Sequence, residues 1–506
     1  MTGTCIRHSD LPGSSRLFVD LLYDFPRVEK FYAYDPSNPN SLAASINDIE
    51  YPAARRAAVV QALAITNGNH PALDILAQHN TVAVLTGQQV GLYGGPVYTL
   101  YKALSAIRLA KELTDSGQPA VPIFWLATED HDVEEIRSAS FWQEDIEALA
   151  ASDGRPAGLH HLAGLPDLLP LTEEIAALAK RHYQNGKTFG ESFLGLVKEL
   201  LAPLGLLFAD PLEPNLRQIG AEFLSAAARQ APELSQALVA RNKELIEANY
   251  HPQVHFEADE TSLFFLLEND HRQQLKFHAK TYDREAMAAL GVKLSPNALL
   301  RPVWQDWLFP TAALIGGPGE LAYFAQSEVL YKLLLGRMPV VIPRAFFTIV
   351  DPKSAKTIDH FRVRYSDMLH DEAHVAKSLA RRLVPPDITE ALNNSERAVQ
   401  NALSSLSTKL ETFDPTLARA LEASQRKIHY QFTKNHSKLV HEMLRKNEQA
   451  QRQAAHISHR LAPHGHLQER HYSLLAMLSD YGLDFIPTIL ENIHYGCHAH
   501  HVLLLG

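Results

Sequence analysis

Short apolar runs, most of them followed by glycine or proline and then by polar or helical-period stretches, organise most of the chain. Residues 81–85 (TVAVL) are β-branched and compact, the pattern of a strand buried on both faces. TGQQVGLYGGP follows, and VYTLYKALSAIRLAKELTDSG then places Val97, Leu100, Leu104 and Ile107 at helical spacing, with Gly117 as the stop. AVPIFWLA at 120–127 is the next strand. Strand, glycine loop, helix and strand make a βαβ unit, for which a right-handed crossover is expected. LGLLFAD (204–210), TAALIG (311–316) and MPVVIP (338–343) predict further parallel strands. Segment 261–278 predicts two strands turning at Asn269–Asp270, and LTEEIAALAKRHY and the run 220–250 predict helices. The pattern predicts a doubly wound α/β domain over 1–385, with insertions at about 140–200 and 220–300.

Beyond residue 385 the period changes. Pro385–Pro386 closes one element and Asp387 can cap the next. Leu392, Val399, Leu403, Leu406, Leu410 and Phe413 recur at spacings of 7, 4, 3, 4 and 3, a heptad seam. Asp414–Pro415 breaks it, and Leu421, Ile428, Phe432, Leu439 and Met443 carry a second seam. Two seams joined by a tight break predict an antiparallel coiled-coil hairpin over 386–462, its second helix running to about His459. An apolar face on such an arm predicts a homodimer. Residues 463–506 read as a segment returning to the core.

Composition narrows the function classes. A net charge of −10 argues against a general nucleic-acid binder, which relies on phosphate attraction. Only two cysteines, Cys5 and Cys497, exclude a disulfide framework and fit a reducing cytoplasm. The N-terminal MTGTCIRHSDLPGSS has no apolar signal core, and no apolar run predicts a membrane span. Most of the 26 histidines are scattered and read as polar surface.

Candidate chemistry gathers at the strand ends. The apolar run 121–127 leads directly into Glu129, Asp130, His131 and Asp132. Open α/β sheets bind ligands outside the carboxyl ends of their strands, so this cluster is predicted to be a catalytic wall. A carboxylate or His131 there can act as general base or hold a substrate amine, or a carboxylate can bind Mg²⁺ beside phosphates. Zinc-ligand spacing is missing around it, and no metal ligand is assigned. Gly87, Gln88, Gln89, Tyr93, Gly94 and Gly95 form a loop entering a helix, where backbone N–H groups can hold a phosphate or carboxylate. Gly317 and Gly319 repeat that logic, with a helix opening at Glu320 and Tyr323 and Gln326 facing the same crevice. Lys353 and Lys356 in VDPKSAKTIDHF suggest a weak lysine loop, but an exposed helix start is the preferred reading. CHAHH (497–501) could supply alternating metal ligands, but a terminal strand with surface histidines is preferred.

TGQQVGLYGGPVYTLYKALSAIRLAKEL, VPIFWLATEDHDVEEI, IGGPGELAYFAQ and YGLDFIPTIL together resemble the cysteine-adding enzymes of bacillithiol biosynthesis, the BshC family. The resemblance implies a Rossmann-like core of the class I nucleotidyltransferase kind, inserted connecting peptides, a coiled-coil arm and a dimer formed through it. It implies a ligase that adds cysteine to malyl-glucosamine by an amide bond. Such a bond needs an activated carboxylate; the cofactor stays open, with a nucleotide such as ATP or ADP, consumed or only bound, and Mg²⁺ as candidates. Two alternatives stay open: a metal-dependent hydrolase of a sugar amide, and a non-catalytic coiled-coil scaffold.

Overall fold

The computed structural model describes residues 3–148, 153–167, 170–257, 261–276, 278 and 281–505. Parts of both predicted insertions, including Phe277 of the predicted hairpin, lie outside the described residues.

Five strands form the central sheet: β1 (Val82–Gln88), β2 (Ala120–Leu126), β3 (Leu207–Ala209), β4 (Thr311–Gly316) and β5 (Val340–Pro343). They lie in the order β5–β4–β1–β2–β3, and every pairing is parallel. The chain therefore winds outward from β1 through β2 to β3, then returns to the other side of β1 with β4 and β5. That reversal is the switch point of a Rossmann-like sheet. Both faces are covered, which is why the strands read as continuous apolar runs. Ala83 and Leu85 of β1 pack with Leu321 and Phe324 of α2 (Pro318–Leu334) on one face. Val82 and Val84 pack with Ala106, Leu109 and Leu113 of α1 (Tyr98–Asp115) on the other.

The predicted hairpin is present as Phe264–Glu268 and His271–Gln274. Asn269 and Asp270 turn it at φ 52° and 59°, a conformation these two residue types tolerate best after glycine. A separate three-stranded sheet lies near the chain ends. Its middle strand, His500–Leu504, pairs antiparallel with Gly3–Ile6 and parallel with Phe346–Val350.

The arm consists of α4 (Pro386–Phe413) and α5 (Pro415–Arg445), with Asp414 capping α5 through Thr416 N–H at 2.7 Å. Their seam residues Leu392, Val399, Leu410, Leu421, Ile428 and Phe432 are half-buried. The second helix does not run on to His459. It ends at Arg445, and Asn447 caps a new helix, α6 (Glu448–Leu461), by accepting from Ala450 N–H at 2.9 Å. Asparagine at this point ends one helix and starts the next, which the heptad count alone does not reveal. The arm is rooted on α3 (Glu372–Leu383): Ala380 and Val384 cluster with Val440, and Leu379 packs with Ala454 and Ile457 of α6.

Candidate active site

A cleft of about 400 Å³ opens at the carboxyl ends of β1 and β4. This is the switch point, and the volume falls in the range of small-molecule sites. On the β1 side it is lined by Gly87, Gln88 and Gln89. Gly87 is required by packing, because a Cβ there would sit 2.8 Å from the Trp125 carbonyl oxygen on β2. Lys102, on the first turns of α1, is only 3% exposed. Its ammonium donates to the Gly87 carbonyl and to Gln88 Oε1, each at 2.8 Å, and pairs with Glu320 Oε2 at 2.5 Å. Burial pulls the Lys102 ammonium down from its ordinary range, and the Glu320 carboxylate opposes that pull. Gln88 donates to the Tyr98 hydroxyl at 3.1 Å, which leaves the Tyr98 proton for a further acceptor. Burial pushes that phenol up to about 12, so it remains a donor at neutral pH.

On the β4 side, Gly317 caps α2 and its N–H donates to Glu320 Oε2 at 2.9 Å. Glu320 thus joins the second glycine loop to Lys102 and hence to the first. The helix begins at Pro318, two residues before the predicted start at Glu320, because proline suits a first helical position. Tyr323, one turn on, faces the cleft beside Arg301. Arg344, immediately after β5, is 2% exposed. Its two terminal nitrogens grip Glu469 at 2.6 and 2.9 Å, while its Nε, close to Gly317, has no partner among the described residues. Across the cleft, Gln89 Oε1 is also buried without a partner among the described residues. Buried polar atoms are almost always hydrogen-bonded, so an orphan donor and an orphan acceptor in one cleft point to a ligand there.

The four consecutive polar residues after β2 diverge in the fold. Asp130 alone of the four lines the cleft. Gln89 Nε2 donates to it at 3.2 Å, and Arg272 and Arg301 each stand 3.8 Å away. Burial pushes the Asp130 carboxyl up, but hydrogen bonding within the Asp130–His131 pair, the two arginines and Gln89 outweigh it and hold it well below the usual carboxylate range. Glu129 points the other way and is buried against Arg217 at 2.9 Å. Arg217 also donates to the Val292 and Leu294 carbonyls, so the Glu129 pair fastens β2 to the second insertion. His131 Nδ1 meets Arg272 at 2.9 Å outside the cleft, and Asp132 is exposed. Four polar residues leaving a strand end must diverge, because successive side chains leave the chain in different directions.

The first glycine loop also divides. Gly87, Gln88 and Gln89 reach the cleft, but Tyr93, Gly94 and Gly95 do not. Tyr93 is buried at φ 51°, and the Gly94 N–H donates to the Tyr183 hydroxyl at 2.9 Å. Val97 N–H donates to the Tyr472 carbonyl and Leu474 N–H to the Gly95 carbonyl, each at 2.9 Å. Segment 472–474 therefore plugs the entrance to α1 that was expected to hold an anion. Gln326 is fully buried and bridges Asn242 and the Val254 backbone. Tyr323 and Gln326 lie three residues apart, but only the first turns inward to the cleft. Lys353 and Lys356 are exposed on a helix started by Asp351, away from the cleft. The surface reading of the last histidines fails at His500, which is fully buried and bonds Thr348 at 2.8 Å.

Four cleft cations, Lys102, Arg301, Arg344 and Arg470, were not anticipated, nor were Tyr98 and Glu135. Arg344 carries the same signal as the acidic cluster, a charge directly after a buried strand. Lys102 shows as a lone cation on an otherwise apolar helix face. Arg301 and Arg470 have no local signal, since the first residue of one helix and a residue of another short helix are brought in from distant segments.

Residues 1–345 match the family described as the N-terminal Rossmann-like domain of bacillithiol biosynthesis BshC. Residues 347–505 match its C-terminal coiled-coil domain. A relative named "Putative cysteine ligase BshC" from Solibacter usitatus is 43% identical, covering 99% of this chain and 99% of its own. Relatives of the same name from Koribacter versatilis and Salinibacter ruber are 33% and 29% identical, covering 97% and 95% of this chain and 98% and 93% of their own.

Proposed function

The chain belongs to the bacillithiol biosynthesis BshC family, and from that membership we propose a ligase that adds cysteine to malyl-glucosamine, giving bacillithiol. The observation that carries this reading is the convergence of Lys102, Arg301 and Arg344 with Asp130 in one cleft. The malyl group brings carboxylates, which suit the cations. The glucosamine amine suits Asp130, whose ionised form is favoured by its neighbours. Amide formation makes one C–N bond and expels an oxygen from the cysteine carboxylate, which must first be activated as an acyl-adenylate or acyl-phosphate. A nucleotide such as ATP supplies that activation, with Mg²⁺ as its usual companion. The N-terminus of α2, with Arg344 Nε beside Gly317 and unpartnered among the described residues, suits its phosphates. The protein's own part is to hold the amine against the acyl carbon and keep the carboxylates paired, which can contribute effective molarities on the order of 10⁵ M.

Pure protein incubated with cysteine, malyl-glucosamine and ATP should yield a thiol product detectable by mass. Asp130→Asn should cut its formation by about 10² or more, whereas Asp132→Asn should stay within about twofold. Equal loss in both variants, or no product from the wild type, overturns the reading. The arm is proposed to form a homodimer, since Leu406, Phe413 and Tyr430 are left 45%, 81% and 60% exposed along it. Leu406→Glu with Phe413→Glu should shift light scattering from dimer to monomer without loss of helicity.

A further inference from the structure

The only two cysteines of this 506-residue chain lie near its opposite ends, and the fold brings them together. Cys5 Sγ and Cys497 Sγ are 3.9 Å apart. His501 is the cross-strand partner of Cys5 in the antiparallel pairing, and its Nδ1 stands 3.7 Å from Cys5 Sγ. One ligand atom from each of the three residues lies within 4.8 Å of the other two. Cys497 and His501 of CHAHH supply two of these atoms, whereas His500 turns into the core towards Thr348. The third ligand comes instead from the other end of the chain.

We propose that Cys5, Cys497 and His501 form a zinc site that clips the first strand of the chain to its last. Zinc prefers tetrahedral thiolate and imidazole ligands, with Zn–S about 2.3 Å and Zn–N about 2.0–2.1 Å. Those lengths place two sulfurs about 3.8 Å apart and a sulfur and a nitrogen about 3.6 Å apart. The observed 3.9 Å between the sulfurs and 3.7 Å between Cys5 Sγ and His501 Nδ1 match these lengths, and Cys497 and His501 offer ligand atoms within 4.8 Å of each other. A disulfide would require the sulfurs to close to about 2.05 Å and would leave His501 without a part. Beside Cys497 and His501 opens a cavity of about 20 Å³, large enough for one water as the fourth ligand. The site lies on the terminal sheet rather than in the cleft, so it does not depend on the reading of the reaction.

Full-length protein, reduced and stripped with chelator, should bind one Co²⁺ per chain with a thiolate-to-cobalt absorption band in the near ultraviolet. One equivalent of Zn²⁺ should abolish that band by displacement. Cys5→Ser and Cys497→Ser should each remove most of the band and weaken zinc binding by roughly 100-fold or more, at least the upper loss typical of outer-shell changes. His501→Ala keeps both thiols, so a tenfold or greater loss of zinc affinity there assigns the imidazole even if a serine variant folds poorly. The proposal is overturned by a reduced wild type without the thiolate band, by a band that survives Cys497→Ser, or by protein whose two thiols titrate only after reductant breaks a bond between them.

Discussion

TGQQVGLYGGP begins in the last residues of β1 and IGGPGE in those of β4, and along the chain the two stretches look like the same device: apolar strand, glycines, helix. In the fold they diverge. The first spends Gly91, Gly94 and Gly95 on reversing the chain, with Gly94 and Gly95 at φ 85° and 67°, and segment 472–474 fills the helix entrance. The second stays open to the cleft: Gly317 has φ −82°, a conformation any residue adopts, and a Cβ there would meet only Glu320 and Arg344 at ordinary contact distance. A run of glycines therefore reports that backbone is tightly placed, not what it is placed against. What distinguishes the loops is the occupant of each helix entrance, supplied to one by residues hundreds of positions away.

The link between the loops is Lys102, which holds Gly87, Gln88 and Glu320 together. Its replacement gives the largest effect. Lys102→Met removes the buried cation and leaves the Glu320 carboxylate without its partner, so product formation should fall by about 10²–10³. Wild-type turnover in that variant would mean the two loops work independently of each other.

The next test separates the loops directly. Gly94→Val places a branched side chain at φ 85°, with its Cβ 3.0 Å from Leu474 Cδ2. A non-glycine residue there costs on the order of 1–2 kcal/mol, and overpacking adds roughly 1–3 kcal/mol. The thermal midpoint should drop while ligand affinity of the folded fraction holds. Gly317→Val should do the reverse, leaving the midpoint nearly unchanged and weakening nucleotide binding by about tenfold. Calorimetric melting and equilibrium binding on both variants check the pair; the opposite pattern would exchange the roles assigned to the two loops.

What was legible in the sequence follows the same line. The sheet was readable because strands buried on both faces leave uninterrupted apolar runs, and the arm because a heptad seam is periodic over many turns. Gly87–Gln89, Asp130, Gly317 and Tyr323 were readable as cleft residues because strand ends of such sheets face ligands. Glu129, Gln326 and Tyr93 were not separable from them, because one step along a strand end or a helix face decides between cleft and core. Arg301 and Arg470 were invisible, since no local pattern marks a residue delivered by tertiary packing.

The smallest effect concerns what backs each loop. Arg344 N–H donates to the Gly316 carbonyl at 2.9 Å, so the second loop leans on Arg344. Behind Arg344 lie His8 and His500, 2% and 0% exposed, with Phe346 between them and the arginine. Burial pulls both imidazoles down to about 3; His500 and Arg344 reinforce this at His8 while Glu469 opposes it, and Arg344 and His501 reinforce it at His500. A histidine whose folded value lies below its unfolded value of about 6.5 contributes its full stability above pH 6.5. That contribution is lost as pH falls from there towards 3, because the unfolded chain takes up the proton first. Between pH 7 and 5.5 each histidine should therefore cost on the order of 1 kcal/mol. The first loop is backed instead by Tyr472–Leu474, where burial pulls the neighbouring His471 down as well, but His8 and His500 do not stand behind it. Hydrogen exchange read by mass spectrometry, after correction for the pH dependence of intrinsic exchange, should show peptides over 312–326 losing more protection at pH 5.5 than those over 85–97. Replacing His8 with leucine should reduce the loss, since one of the two protonations is then removed. Equal loosening of both loops on acidification would show that the histidines act on the fold as a whole and not on the wall behind Gly317.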